Sequence, residues 1–66
     1  MIAKINGQDK ELEDKLTIEG LVLDFGYQNQ RIAVEVNQQI IPKSQHSEFT
    51  IADGDKIEII KAVGGG

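Results

Sequence analysis

Thr17-Ile18-Glu19-Gly20-Leu21-Val22-Leu23-Asp24-Phe25-Gly26 is the stretch that decides the fold of this 66-residue chain. Ile18, Leu21, Val22 and Phe25 stand at i, i+3, i+4 and i+7, so they form one apolar stripe of an α-helix. Thr17 offers a hydroxyl to the free N–H groups of the first turn, and Glu19 places a negative charge near them. Gly26 is well suited to end the helix in a left-handed conformation. Gly20 lowers helix stability by about 1 kcal/mol relative to alanine. Close packing and simple tolerance both account for it.

A lone amphipathic helix must cover something, and the rest of the chain reads as strands. Met1, Ala3 and Ile5 alternate with Ile2 and Lys4, and Asn6-Gly7 follows as a type I′ hairpin signal. Gln8 to Glu13 is then a polar returning strand that suits a sheet edge. Beyond the polar linker Tyr27–Gln30, Ile32, Val34 and Val36 point inward while Ala33 and Glu35 point outward. Asn37-Gln38-Gln39 turns the chain into a short strand at Ile40-Ile41, which Pro42 stops. Ser44 is a candidate cap for one helical turn through Glu48, after which Phe49 and Ile51 return to the core. Asp53-Gly54-Asp55 is a turn into a last strand, Lys56 to Val63, with Ile57 and Ile59 on one face and Glu58, Ile60 and Ala62 on the other. The order predicts an α+β domain over residues 1–63, with a four- or five-stranded sheet around one helix and a glycine tail at 64–66.

Composition narrows the function. A chain this short has a thin core and no room for a deep pocket beside a catalytic apparatus. Cysteine is absent, which removes disulfides, thiolate zinc sites and cysteine nucleophiles. A small domain without disulfide staples reads as cytoplasmic. Its longest apolar runs are three residues, so neither a leader peptide nor a membrane span is expected. The net charge of −4, with seven scattered cations, argues against nucleic acid.

Few side chains suggest chemistry. His46, the single histidine, reads as a solvated residue in a polar stretch. Asp53 and Asp55 read as turn residues rather than metal ligands, because a hard cation wants six or more oxygens. Ser44 and Ser47 have no His–acid pair at a recognisable spacing. Gly7, Gly20 and Gly26 are isolated and form no phosphate loop. No metal site and no catalytic residue are expected.

Gly64-Gly65-Gly66 remains. It reads either as a frayed end or as a working arm. Glycine carries no side chain, so such an arm can thread a narrow channel. A free α-carboxyl group, with an ordinary pKa of about 3.3–3.7, is ionised at neutral pH.

The second half of the chain carries a resemblance. Ala33-Val34-Glu35-Val36-Asn37-Gln38-Gln39-Ile40-Ile41-Pro42-Lys43, then Asp53-Gly54-Asp55-Lys56-Ile57-Glu58-Ile59-Ile60, then Ala62-Val63-Gly64-Gly65-Gly66 closely resembles the ThiS family, the sulfur carriers of thiazole formation in thiamin biosynthesis. Length and element order agree as well. The resemblance implies a ubiquitin-like β-grasp fold and a protein co-substrate rather than an enzyme. It implies that a ThiF-type enzyme adenylates the Gly66 carboxylate, that a persulfide or related donor replaces AMP to leave a thiocarboxylate, and that the thiazole synthase ThiG accepts the sulfur. Mg-ATP would belong to the activating enzyme, and the carrier itself would bind no cofactor. Gly65 and Gly66 match the family's Gly-Gly end; Gly64 is a compatible third glycine.

The helix leaves one sheet face open, and Ile2, Ile60 and Ala62 are expected there as a partner-docking face. The alternatives are a molybdopterin-synthase-type sulfur carrier, a ubiquitin-like modifier, and a β-grasp interaction module without covalent chemistry.

Overall fold

A computed structural model describes residues 1–61. The chain forms β1 (Ile2–Ile5), β2 (Gln8–Glu11), α1 (Ile18–Asp24), β3 (Ile32–Val36), β4 (Gln39–Ile41), a 3-10 turn (Lys43–Gln45) and β5 (Lys56–Lys61). The five strands make one mixed sheet in the order β2-β1-β5-β3-β4. β1 runs parallel to β5, and the other neighbours are antiparallel. Both edges are therefore the strands that sequence marks as edges: the fully exposed β2, and β4, which ends at Pro42.

Period-two alternation places Ala3 and Ile5, Val34 and Val36, Ile41, and Ile57 and Ile59 on the covered face. They pack with Ile18 and Leu21 of α1 and with Leu12 and Ile51. Cross-strand partners match in burial, as in Val34↔Ile59 and Val36↔Ile57. A slip of one residue would expose every one of these side chains, so the core fixes the register.

Helix α1 begins as its residues require. The Gly20 amide donates to Thr17 Oγ1 at 3.1 Å. The two other unpaired amides of the first turn, Ile18 and Glu19, donate to the carbonyls of Phe49 and His46. A distant loop thus completes the cap that Thr17 starts. At the far end Gly26 has φ +78°, the Gly26 amide donates to the Leu23 carbonyl, and the Tyr27 amide donates to the Val22 carbonyl. This pair of bonds is a Schellman motif.

Four local expectations are corrected. Phe25 is 37% exposed, because it is the C-cap residue and leaves helical geometry before the stripe can carry it inward. β2 ends at Glu11 rather than Glu13, since Leu12 turns down into the core and its amide bonds the Met1 carbonyl. Ser44 does not cap: the 3-10 turn starts one residue earlier, after Pro42, with no side-chain cap bond. His46 is buried, not solvated. As for Gly20, a Cβ there would stand 2.7 Å from Leu16 Cδ1, the far end of a flexible side chain that would have to move aside.

Candidate functional site

β5 is the middle strand and leads toward the glycines. Ala62, Val63, Gly64, Gly65 and Gly66 lie outside the described residues, and β5 is described through Lys61. β3 flanks β5 from Val36↔Ile57 to Ile32↔Lys61, all of its described length but Lys56. β1 flanks it only at Lys4↔Lys56 and Ile5↔Ile57 before turning away.

Two asparagines extend this support. Asn6 begins the β1–β2 turn with φ +50°, and its amide donates to the Ile57 carbonyl at 2.9 Å. Its side-chain Oδ1 accepts from the Ile59 amide at 2.8 Å, replacing the carbonyl that a longer β1 would have supplied. Asn37 begins the β3–β4 turn with φ +51° and holds the other flank. Its Oδ1 accepts from the Lys56 amide and its Nδ2 donates to Asp55 Oδ1, both at 3.0 Å. The first residue of each hairpin turn thereby fixes the strand that leads to residue 66. Asparagine tolerates the left-handed region better than most residues and can bond locally there.

The open face carries Ile60 opposite Ala33, and Ile40 and Glu58 on either side of Glu35. Ile60 is 45% exposed and Ile40 is 66% exposed. Ile2 is also exposed, but it stands beside Gly54: the Gly54 amide donates to its carbonyl and its own amide donates to Asp53 Oδ1. Six positions along the chain, from Gly54 in the turn to Ile60 in β5, separate that level from Ile60, roughly 20 Å at the usual strand rise. The structure therefore places Ile2 and Ile60 on one face but at opposite ends of it; Ala62 lies outside the described residues. Ile40 is the apolar residue that sequence reasoning passed over. Its signal was present, because adjacent isoleucines in a half-covered strand must point to opposite faces.

The polar candidates serve the fold. Asp53 accepts from the Ile2 amide, and Asp55 Oδ2 accepts from the Ala52 amide at 2.8 Å. Gly54, at φ +87°, completes this turn. Among the described residues, no three His, Cys, Asp or Glu side chains gather in a way that could hold a metal. His46 Nε2 lies 3.0 Å from the Ile41 carbonyl. A carbonyl only accepts, so Nε2 carries the proton. The linear sequence gave no sign of this burial, which arises because the loop folds back to cap α1. No helix among the described residues is long and apolar enough to cross a membrane.

With this geometry in place, likeness to known proteins becomes informative. The ThiS family model matches residues 3–66. The "Sulfur carrier protein ThiS" of Bacillus subtilis is 39% identical over 64 residues, covering 96% of this chain and 97% of that protein. The "Thiazole synthase" of Paramagnetospirillum magneticum is 39% identical over 62 residues, covering 94% of this chain. The chain spans only 19% of the length of that synthase. The crystal structure of the thiamine biosynthesis protein ThiS from Geobacter metallireducens superposes with a TM-score of 0.87 at 25% identity, over all of both chains. The fold is thus the ubiquitin-like β-grasp, one helix on a five-stranded mixed sheet. By its match from residue 3 through the terminal glycines, the chain belongs to the ThiS family.

Proposed function

We propose that this protein carries sulfur for thiazole formation in thiamin biosynthesis, as a thiocarboxylate on Gly66. The observation that carries the reading is the family match through residue 66, joined to a likeness that spans nearly all of a sulfur carrier. That likeness also favours the thiazole pathway over the molybdopterin alternative.

The chemistry follows from the carboxylate. Its oxygen is a poor leaving group, so it must first be activated. A Gly66 carboxylate oxygen attacks the α-phosphorus of ATP in a ThiF-type enzyme, and pyrophosphate leaves. The terminal sulfur of a persulfide attacks the acyl carbon, and AMP leaves with its electron pair. A thiol then cleaves the resulting acyl disulfide, releasing a disulfide and leaving the thiocarboxylate. ThiG accepts that sulfur. The carrier contributes neither acid nor base, and its role is that of a co-substrate. Mg-ATP belongs to the activating enzyme. The thiazole synthase of Paramagnetospirillum magneticum contains a segment similar to this chain, which supports a ThiG-type acceptor.

Gly64 and Gly65 would thread the partner's active site, where a Cβ would collide with the channel wall. The partner would meet the open sheet face near Ile60 and Ala62, with Ile2 reaching it only if the contact extends along the whole face.

Deleting Gly65 and Gly66 is expected to abolish charging while the far-ultraviolet circular dichroism and melting temperature stay the same. Intact mass spectrometry after incubation with ATP, a ThiF-type enzyme and a persulfide donor reads the result. The unaltered chain gains the mass difference between sulfur and oxygen, whereas attachment to a target protein would mean a modifier. Sulfur gained by the deleted chain would refute the assignment, and the same spectra report whether residue 66 ends the mature chain. Ile60→Glu is expected to weaken binding to the ThiF-type enzyme by roughly tenfold, the scale of one buried apolar contact of about 1.5 kcal/mol. Unchanged affinity in calorimetry would remove Ile60 from the contact.

A further inference from the structure

An asparagine or aspartate side chain places its carbonyl carbon where the next residue's nitrogen can attack it and close a five-membered imide. A glycine in the next position favours this step, because no Cβ hinders the approach. The chain holds two such pairs, Asn6-Gly7 and Asp53-Gly54. They differ at the attacking nitrogen. The Gly54 amide is held by the Ile2 carbonyl at 2.7 Å. The Gly7 amide has no acceptor among the described residues, and a Cβ on Gly7 would meet nothing within 4 Å. They differ also at the leaving group: an amide loses ammonia, whereas an ionised carboxylate has nothing comparable to lose. Asn29 and Asn37 are each followed by glutamine, and the Gln30 amide is engaged by the Tyr27 carbonyl. The exposed Asn6-Gly7 turn is therefore the reactive pair.

The folded turn opposes the reaction. Asn6 has φ +50° and Gly7 φ +83°, in a two-residue turn closed by Ile5↔Gln8. This is a type I′ turn, in which ψ at the first position is positive as well. The Gly7 nitrogen then stands nearly opposite Asn6 Cβ across the Cα–C bond, out of reach of the carboxamide. Rotating it into reach pulls on both bonds that join Asn6 to β5. These are the bond from the Asn6 amide to the Ile57 carbonyl at 2.9 Å and that from the Ile59 amide to Asn6 Oδ1 at 2.8 Å.

We propose that Asn6-Gly7 is a self-modification site that the clamp on β5 keeps closed, and that it deamidates once the turn leaves β5. In the open turn a hydroxide ion takes the Gly7 N–H proton. The nitrogen forms a bond to Asn6 Cγ, and the Cγ–Nδ2 bond breaks. Nδ2 leaves as ammonia with a proton from water, which restores the hydroxide. A second water opens the imide at either carbonyl and leaves aspartate or isoaspartate at position 6. Isoaspartate adds a methylene to the main chain, so it cannot rebuild the two-residue turn, and the Ile59 amide loses its acceptor. The change is one-way, and it proceeds whether or not Gly66 carries sulfur.

The test incubates the intact chain at mildly alkaline pH, with and without denaturing guanidinium chloride. Peptide mapping by mass spectrometry follows each asparagine, and an isoaspartyl-directed methyltransferase scores the isoaspartate. Deamidation is expected at Asn6 ahead of Asn29 and Asn37, and at least roughly tenfold faster in denaturant, because the folded turn must open first. In denaturant, where folding plays no part, Gly7→Ala is expected to slow the reaction at Asn6 by roughly tenfold, since a Cβ hinders the attack. After return to native conditions, the isoaspartyl chain is expected to lose the hydrogen-exchange protection of the Ile59 amide. The proposal is overturned if Asn6 stays intact in denaturant, if Gly7→Ala reacts equally fast there, or if Asn29 or Asn37 reacts as fast as Asn6. It is also overturned if the folded chain reacts as fast as the denatured one, or if the isoaspartyl chain keeps Ile59 protected.

Discussion

The two hairpins do the same work with different residues. Each leaves its inner strand through a two-residue turn with positive φ at both positions, Asn6-Gly7 and Asn37-Gln38. Each places an asparagine first, and each asparagine bonds β5, from opposite sides and toward opposite ends. They differ in the second residue. Gly7 occupies φ +83° without steric cost, whereas Gln38 holds φ +71° against its own Cβ. The lesson is that the anchoring residue sets the turn. Asn37 takes part in three bonds with Asp55 and Lys56, which hold Gln38 in a conformation it would not choose.

The comparison can be broken at its anchors. The Ile59 amide that Asn6 satisfies is partly buried, while the Asn37 side-chain bonds are exposed. Asn6→Ala is therefore expected to lower stability by about 2–3 kcal/mol, and Asn37→Ala by about 1–2 kcal/mol, because water replaces an exposed partner but not a buried one. Urea denaturation measures both; equal losses, or a larger loss at Asn37, would mean that the number of bonds outweighs their burial. The second position sharpens the contrast. Gln38→Gly is expected to raise stability by up to about 1 kcal/mol, and Gly7→Gln to lower it by about 1 kcal/mol, since nothing lies within 4 Å of a Cβ at Gly7 and only backbone strain acts there. A loss of stability in Gln38→Gly would show that the glutamine is not strained.

The same contrast shows where the sequence was readable. Asn6-Gly7 announces its turn because glycine is rare elsewhere in strands. Asn37-Gln38-Gln39 reads as a turn too, but its positive φ at Gln38 does not show in the residues, because glutamine has no preference for that region and the geometry is imposed by a strand nearly twenty positions away. The candidate site divides similarly. The terminal glycines and the open-face parity of Ile60 could be read locally. Separation of Ile2 from Ile60 could not, because it depends on the parallel register Lys4↔Lys56.

Local rules determined the elements: apolar spacing gave the strands and the stripe of α1, and Thr17 and Gly26 bounded that helix. These properties act over a few bonds, so the order of residues contains them. Tertiary structure alone decided that His46 is buried, that its loop caps α1, and that two asparagines clamp β5. Each of these joins residues distant along the chain, and their meeting depends on how the sheet and helix pack rather than on any neighbouring residue.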